Sequence, residues 1–252
     1  MTRIILSGCN GQMGKNITEI VSTRDDCKIV CGVDLVCESQ AGYPVVSSFS
    51  EISEDADVII DFSHVSVLTP LLQYATERNM PVVLCTTGYS DGQIKEIHEA
   101  SKSIPVFYSR NMSLGINLLI ALTQKAVGIL GDSFDIEIIE KHHNQKLDAP
   151  SGTALMIADA ICDEAGKGYN YEYDRHSKRA RRTKDEIGIH AVRGGTIVGE
   201  HEVVFAGNNE VITISHSAQS KTVFATGAVN AAVFMSEKSA GLYDMGDLVA
   251  IS

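Results

Sequence analysis

Ile4-Ile5-Leu6-Ser7-Gly8-Cys9-Asn10-Gly11-Gln12-Met13-Gly14 decides how the first half of the chain is read. An apolar, β-branched run, Arg3–Ser7, enters three spaced glycines, and Met13, Ile17, Ile20 and Val21 leave them at helical spacing. Glycines at that place permit a tight turn and close approach of backbone. The helix that follows offers unpaired N–H groups to a pyrophosphate. A G-x-x-G-x-x-G string alone is common turn chemistry, and its setting gives it weight. The next apolar run, Cys27–Asp34, closes in an acid about twenty residues beyond the glycines, where a carboxylate suits adenosine ribose hydroxyls.

Working outward, Asp57–Phe62, Pro81–Thr86 and Pro105–Tyr108 are further strands, with helical patterns over Val65–Arg78 and Asp91–Lys102 between them. Short continuous apolar strands alternating with helices predict a parallel sheet covered on both faces. The pattern changes after residue 113. Leu114–Leu130 is a long apolar helix, and Phe134–Glu140 alternates apolar and acidic residues, as a half-exposed antiparallel strand does. A helix runs from Ser151 to about Ala165. Ile187–Arg193, Thr196–Phe205 and Glu210–Ser217 follow, with Gly194-Gly195 and Gly207-Asn208-Asn209 as hairpin punctuation. The expectation is an α/β chain: a Rossmann-type parallel-sheet domain plus a smaller α+β domain with a mostly antiparallel sheet. Val223–Glu237, small and apolar, fits the closing of either domain.

The 252 residues carry 21 basic and 32 acidic side chains, a formal net charge of −11. A uniformly acidic surface repels nucleic acid and anionic lipid, so neither is an expected partner. An anionic substrate must then be met by a local basic cluster. The apolar run at Ile4–Leu6 is too short for a signal-peptide core, and no stretch approaches the ~18–20 apolar residues that span a bilayer. A cytoplasmic protein is expected. Six cysteines lack C-x-x-C spacing and are expected as free thiols, with no metal.

Glu140-Lys141-His142-His143-Asn144-Gln145-Lys146-Leu147-Asp148-Ala149-Pro150-Ser151-Gly152-Thr153 is the most informative stretch for chemistry. Two histidines lead out of a strand, a lysine follows, and a turn enters a helix with Ser151 as its N-cap. The N–H groups of Gly152 and Thr153 at that helix start suit a carboxylate. Histidine and lysine beside them supply cationic donors and a proton-transferring group. Arg175–Lys184 is a basic run whose leading reading is a solvated, mobile loop; the sharper reading is a lure for a dianionic substrate. Tyr169, Tyr171 and Tyr173 alternate as at a strand edge, and His190 and His201 are read as structural.

Gly8–Gly14, Thr86-Thr87-Gly88, Asn111-Met112-Ser113-Leu114-Gly115 and above all Glu140–Thr153 resemble the dihydrodipicolinate reductase family of lysine and diaminopimelate biosynthesis. The resemblance covers nearly the whole chain, including Val198–His201 and Gly241–Met245. It implies NAD(P)H-dependent reduction of 4-hydroxy-tetrahydrodipicolinate, a small dianionic cyclic imine once dehydrated. It implies a homotetramer, with residues 1–112 and 223–252 binding the dinucleotide and residues 113–222 binding substrate and the other subunits. His142 matches the family's proton donor and acceptor, and Lys146 its second donor. His143, Gly152 and Thr153 match substrate-binding positions, with Ser151 beside them. The dinucleotide would touch Gly8, Cys9, Asn10, Gly11, Gln12, Met13, Asp34, Cys85, Thr86, Thr87, Ser109, Arg110, Asn111 and Met112. Cys85 stands where family members often carry glycine, Ser109-Arg110 replaces a small or proline-containing pair, and Lys221 stands near a hinge position where arginine occurs. Leu35, Val36 and Cys37 after Asp34 offer no base to a 2′-phosphate, so NADH is expected over NADPH. The competing reading is an NAD(H)-binding sensor or regulatory protein, which would keep Gly8–Gly14 and dispense with His142 and Lys146.

Overall fold

The computed structural model describes residues 1–38 and 42–249. They form two compact units, Met1–Leu114 with the chain from Thr222 onward, and Gly115–Lys221. The chain runs β1 (Thr2–Ser7), α1 (Gln12–Ser22), β2 (Cys27–Val33), β3 (Val45–Val46), β4 (Val58–Asp61), α2 (Leu68–Glu77), β5 (Val82–Leu84), α3 (Asp91–Ala100) and β6 (Pro105–Tyr108). It continues as α4 (Leu114–Leu130), β7 (Asp135–His142), α5 (Gly152–Ala165), β8 (Asn170–Glu172), β9 (Glu186–Arg193), β10 (Gly199–Ala206) and β11 (Val211–Ala218). Helix α6 (Thr222–Met235), β12 (Gly241–Tyr243) and α7 (Met245–Val249) follow.

In the first unit seven strands lie in the order β12-β6-β5-β4-β1-β2-β3, every neighbouring pair parallel. The five strands expected from apolar runs are its centre. The two edge strands, β3 and β12, are too short to leave a pattern in sequence. Alternation along each strand sends side chains to opposite faces. Ile4, Leu6, Val58, Ile60 and Val83 join α1 and α6 in one core, while Ile5, Ile59, Val82 and Leu84 join α2 and α3 in the other. Helix α6 lies in this unit, because Ala225, Ala228, Ala231 and Ala232 are buried and need cover on more than one side. Its Gly227 is required: a Cβ there would stand 1.7 Å from the Met112 carbonyl oxygen.

The second unit has a five-stranded sheet ordered β11-β10-β7-β9-β8. It is mixed, not mostly antiparallel. Strand β10 is antiparallel to β7 and β11, whereas β7–β9 and β8–β9 are parallel. The hairpin expected at Gly194-Gly195 does not form, since β7 lies between β9 and β10; the turn at Gly207–Asn209 does join paired strands. The physical reason lies in β7, whose buried residues alternate along its whole length and whose two edges are both paired. Helix α5 carries the chain back across the sheet, so β9 enters parallel to β7. Ile136, Ile138, Ile157, Ile161, Val203 and Phe205 form the core between sheet and helices.

Two further expectations are qualified. The basic run is exposed over most of its length, as a solvated loop is, but it is pinned through Arg182, which donates to Glu137, Asp135 and the carbonyls of Ile136, Thr183 and Glu186. Lys184 pairs with Asp135, Arg175 with Glu186 and Lys178 with Glu172. Acidic ends of β7, β8 and β9 attract these bases. The segment Leu114–Ser133 is also long and apolar enough, by length and composition, to cross a membrane. One side of it is buried through Ile116, Leu119, Thr123 and Val127, and Leu118, Leu122 and Ile129 stay exposed.

Candidate active site

The glycine loop lies between β1 and α1, at the C-terminal edge of a parallel sheet, where such sheets bind ligands. Gly8 has φ +77°, and a Cβ on it would stand 2.6 Å from the Phe62 carbonyl oxygen. On Gly14 a Cβ would meet the Gly8 and Cys9 carbonyl oxygens at 2.4 Å. Only glycine fits these two positions. Gly11 is the N-cap of α1, and among the described residues no side chain caps that helix, so its first N–H groups keep their capacity for an anion. Asp34 accepts from the Asn10 backbone N–H at 2.9 Å, and the Asn10 side chain donates to the Val36 carbonyl at 2.6 Å. A cavity of about 580 Å³ opens beside this contact, lined by Gly8, Gly11, Asp34, Val36, Ser48 and His64 among others, with no lysine or arginine among the described residues. An unobstructed helix start behind a glycine cradle, with a carboxylate at the end of the second strand, fits a nicotinamide dinucleotide.

The remaining residues expected at the dinucleotide also stand at strand C-termini. Cys85 and Thr86 follow β5 and are buried; Thr87 is exposed. Cys9, Cys85 and Met112 turn their side chains into the core, so at most their backbone faces a ligand. Burial pushes the Cys9 thiol up to about 11 and the Cys85 thiol well above its ordinary value. Ser109 Oγ donates to the Asn111 carbonyl, and the Asn111 side chain accepts from the Ser113 N–H at 2.8 Å. Asp61, which closes β4, is 1% exposed and accepts from Thr86 Oγ1 at 2.7 Å and Ser63 Oγ at 2.5 Å. Sequence reading passed over it, although an apolar run ending in an acid is the same signal that marked Asp34.

In the second unit the last turn of β7 and the start of α5 meet around Glu140. This carboxylate has no exposed surface. It accepts from His142 Nδ1 at 2.6 Å, the Ser151 N–H at 2.9 Å, and two Arg193 nitrogens at 2.7 Å each. Burial raises its pKa, but the bonds from Arg193, His142 and Ser151 outweigh it and leave it below the ordinary glutamate value. His142 is lowered, because burial outweighs the pull of Glu140. Its ring stands edge-on to His201, centroids 5.2 Å apart. Ser151 caps α5 by accepting from the Ala154 N–H, and the same hydroxyl meets His201 Nε2 at 3.1 Å. Burial pushes His201 down to about 4.

Lys146 Nζ lies 2.8 Å from Asp148 Oδ1. That bond, with help from the Gly152 N–H, holds Asp148 below the usual carboxylate range. Gly152 is exposed with open space where a side chain would be, and Thr153 is half-buried behind it. His143, half-exposed, begins the turn toward Lys146. His142, Lys146, Ser151, Gly152 and Thr153 thus belong to one local assembly. Arg193 and His201 complete it and carried no functional role in the sequence reading, since both arrive from distant strands.

A parallel sheet with a glycine cradle, joined in one chain to a half-buried histidine–lysine site at a helix N-terminus, defines an oxidoreductase that uses NAD(P)H. The chain matches the family described as "Dihydrodipicolinate reductase, N-terminus" over residues 2–112 and "Dihydrodipicolinate reductase, C-terminus" over residues 115–249. It belongs to the dihydrodipicolinate reductase family. It is 53% identical over 249 residues to the 4-hydroxy-tetrahydrodipicolinate reductase of Caldanaerobacter subterraneus subsp. tengcongensis, covering 99% of this chain and 98% of that one. The enzyme of the same name from Clostridium tetani is 51% identical over 245 residues, covering 97% and 96%. Among solved structures, a dipicolinate-bound dihydrodipicolinate reductase from Paenisporosarcina sp. TG-14 shares the fold with TM-score 0.79, 24% identity and 97% coverage of both chains. A probable dehydrogenase from Thermotoga maritima shares it with TM-score 0.62 at 12% identity, covering 98% of this chain and 93% of that one.

Proposed function

We propose that this chain reduces 4-hydroxy-tetrahydrodipicolinate to tetrahydrodipicolinate in lysine and diaminopimelate biosynthesis, with His142 and Lys146 as its proton-transferring pair. The observation that carries the reading is a nearly buried imidazole and an ammonium beside a capped helix start able to hold a carboxylate. Loss of the 4-hydroxyl as water leaves a conjugated imine. Bound NAD(P)H supplies the hydride. Hydride addition leaves an electron-rich enamine that must take a proton, and His142 delivers it while Lys146 neutralises developing charge. His143 and the N–H groups of Gly152 and Thr153 hold the carboxylates, and Ser151 holds the helix that presents them.

Gly8–Met13, Asp34, Cys85–Thr87 and Ser109–Met112 would hold the dinucleotide. Asp34 beside a cavity that no lysine or arginine lines among the described residues supports preference for NADH, since a 2′-phosphate there would meet a carboxylate and none of these bases. The exposed apolar side chains Leu118, Leu122, Ile129, Val192, Val211 and Ile212 support self-association through the second unit, as in a homotetramer.

The test is nicotinamide oxidation coupled to freshly made aldol product of pyruvate and aspartate semialdehyde, with NADH and NADPH run in parallel. His142→Gln and Lys146→Ala each lower turnover at least about 100-fold and leave NADH binding intact. Near wild-type turnover in either variant removes that residue from the mechanism. Tight NADH binding with no oxidation would turn the reading to a sensor.

A further inference from the structure

We infer that Glu140 is the positioning residue of this site, a single buried carboxylate that fixes the ring of His142 and the start of helix α5 in one register, with Arg193 holding the carboxylate in place. The inference rests on His142 being the proton donor. A carboxylate has about four acceptor sites, and all four of Glu140's are used. Oε2 takes His142 Nδ1 and one Arg193 nitrogen, and Oε1 takes the Ser151 N–H and the other nitrogen. An apolar side chain would fill the same space without the desolvation penalty of a buried ion pair. What it would lose is direction.

Because Nδ1 faces Glu140, the neutral imidazole carries its hydrogen there and leaves Nε2 bare. Protonation then occurs at Nε2, with the carboxylate stabilising the imidazolium. Gly199 completes the arrangement from β10: a Cβ on it would stand 3.1 Å from Nε2, so the glycine leaves that nitrogen uncovered. On its other oxygen Glu140 holds Ser151, whose hydroxyl caps α5. The groups that give and take the proton and those that bind the substrate's carboxylate are therefore set by the same anchor. Arg193 also donates to the Asp148 carbonyl at 2.6 Å, extending the brace to the turn that carries Lys146.

The charged and titratable groups facing His142 are Glu140 from its own strand, Arg193 from β9, His201 from β10 and Lys146 from the turn before α5. This set gives two variants of opposite sign. In the full-length, substrate-free chain, the ring nitrogens of His142 are followed by heteronuclear NMR against pH. Glu140→Gln lowers the His142 midpoint by about one pH unit or more, because burial is no longer opposed by a negative charge. Arg193→Met raises it, because the same carboxylate loses its compensating guanidinium. Turnover in Glu140→Gln falls at least about tenfold, its pH profile moves with the NMR midpoint, and Glu140→Asp recovers part of both. Midpoints that move together in the two variants, or do not move, overturn the positioning role. Full turnover in His142→Gln would instead overturn the proton-donor reading and leave the titration to judge Glu140 separately.

Discussion

Replacing His201 with glutamine removes a titrating group from beside His142 while keeping a side-chain amide within reach of Ser151. His201 is 4% exposed. Burial first, then the cationic forms of His142, His216 and Lys146, push its pKa from 6.5 to about 4 against the pull of Glu140. A histidine with a depressed folded pKa binds fewer protons when native than when unfolded. Its contribution to stability is therefore complete above the unfolded value near 6.5 and is lost as pH falls from there toward 4. A gap of about two and a half units, at ~1.4 kcal/mol each, is worth between about 3 and 4 kcal/mol in full, of which about 3 kcal/mol is lost by pH 4, the folded midpoint. Urea unfolding of both proteins across that window measures it, because the carboxylates and remaining histidines titrate in both and largely cancel in the difference. Stability of wild type relative to His201→Gln should fall by about 3 kcal/mol between pH 7 and pH 4. Parallel curves over that range would mean that His201 is not buried as a neutral ring, and the account of its environment would fail.

Gly8→Ala should lose at least about 1–2 kcal/mol from its positive φ alone, with more from the 2.6 Å approach to the Phe62 carbonyl. The variant should melt several degrees lower and bind NADH at least about tenfold more weakly; unchanged calorimetry of both would refute the cradle. Asp148 occupies Lys146 and the edge of the α5 N-terminus, the groups a substrate carboxylate would use. Asp148→Asn should tighten binding of a planar pyridine dicarboxylate about two- to fivefold, with the gain shrinking in high salt. Weaker titration-calorimetric binding in that variant would show that Asp148 assists the ligand rather than competing with it.

The dinucleotide half was legible because its signals are contiguous. Apolar runs of four to eight residues can satisfy a parallel sheet buried on both faces, and Gly8, Gly11 and Gly14 sit where one turn meets one helix. The histidine–lysine segment was legible for the same reason, since His142 to Thr153 is one stretch of chain ending in a helix cap. Reading failed where partners were remote. Arg193 reaches Glu140 across 53 positions, and Ser151 meets His201 across 50. The turn at Gly194-Gly195 looked like a hairpin because local turn chemistry is the same whether or not the flanking strands pair.

What the sequence by itself determined was local: which runs become strand or helix, where glycine is obligatory, and which side chains share one turn. Tertiary structure alone decided three things. Strand β7 took the centre of the second sheet, because its regular alternation of buried residues let it pair along both edges. Helix α6 joined the first unit, because Gly227 allows it against the Met112 carbonyl and its alanines fill that core. Glu140 became the hub of the site, because a buried carboxylate is tolerable only when donors from β9, the β7 end and the α5 start converge on it.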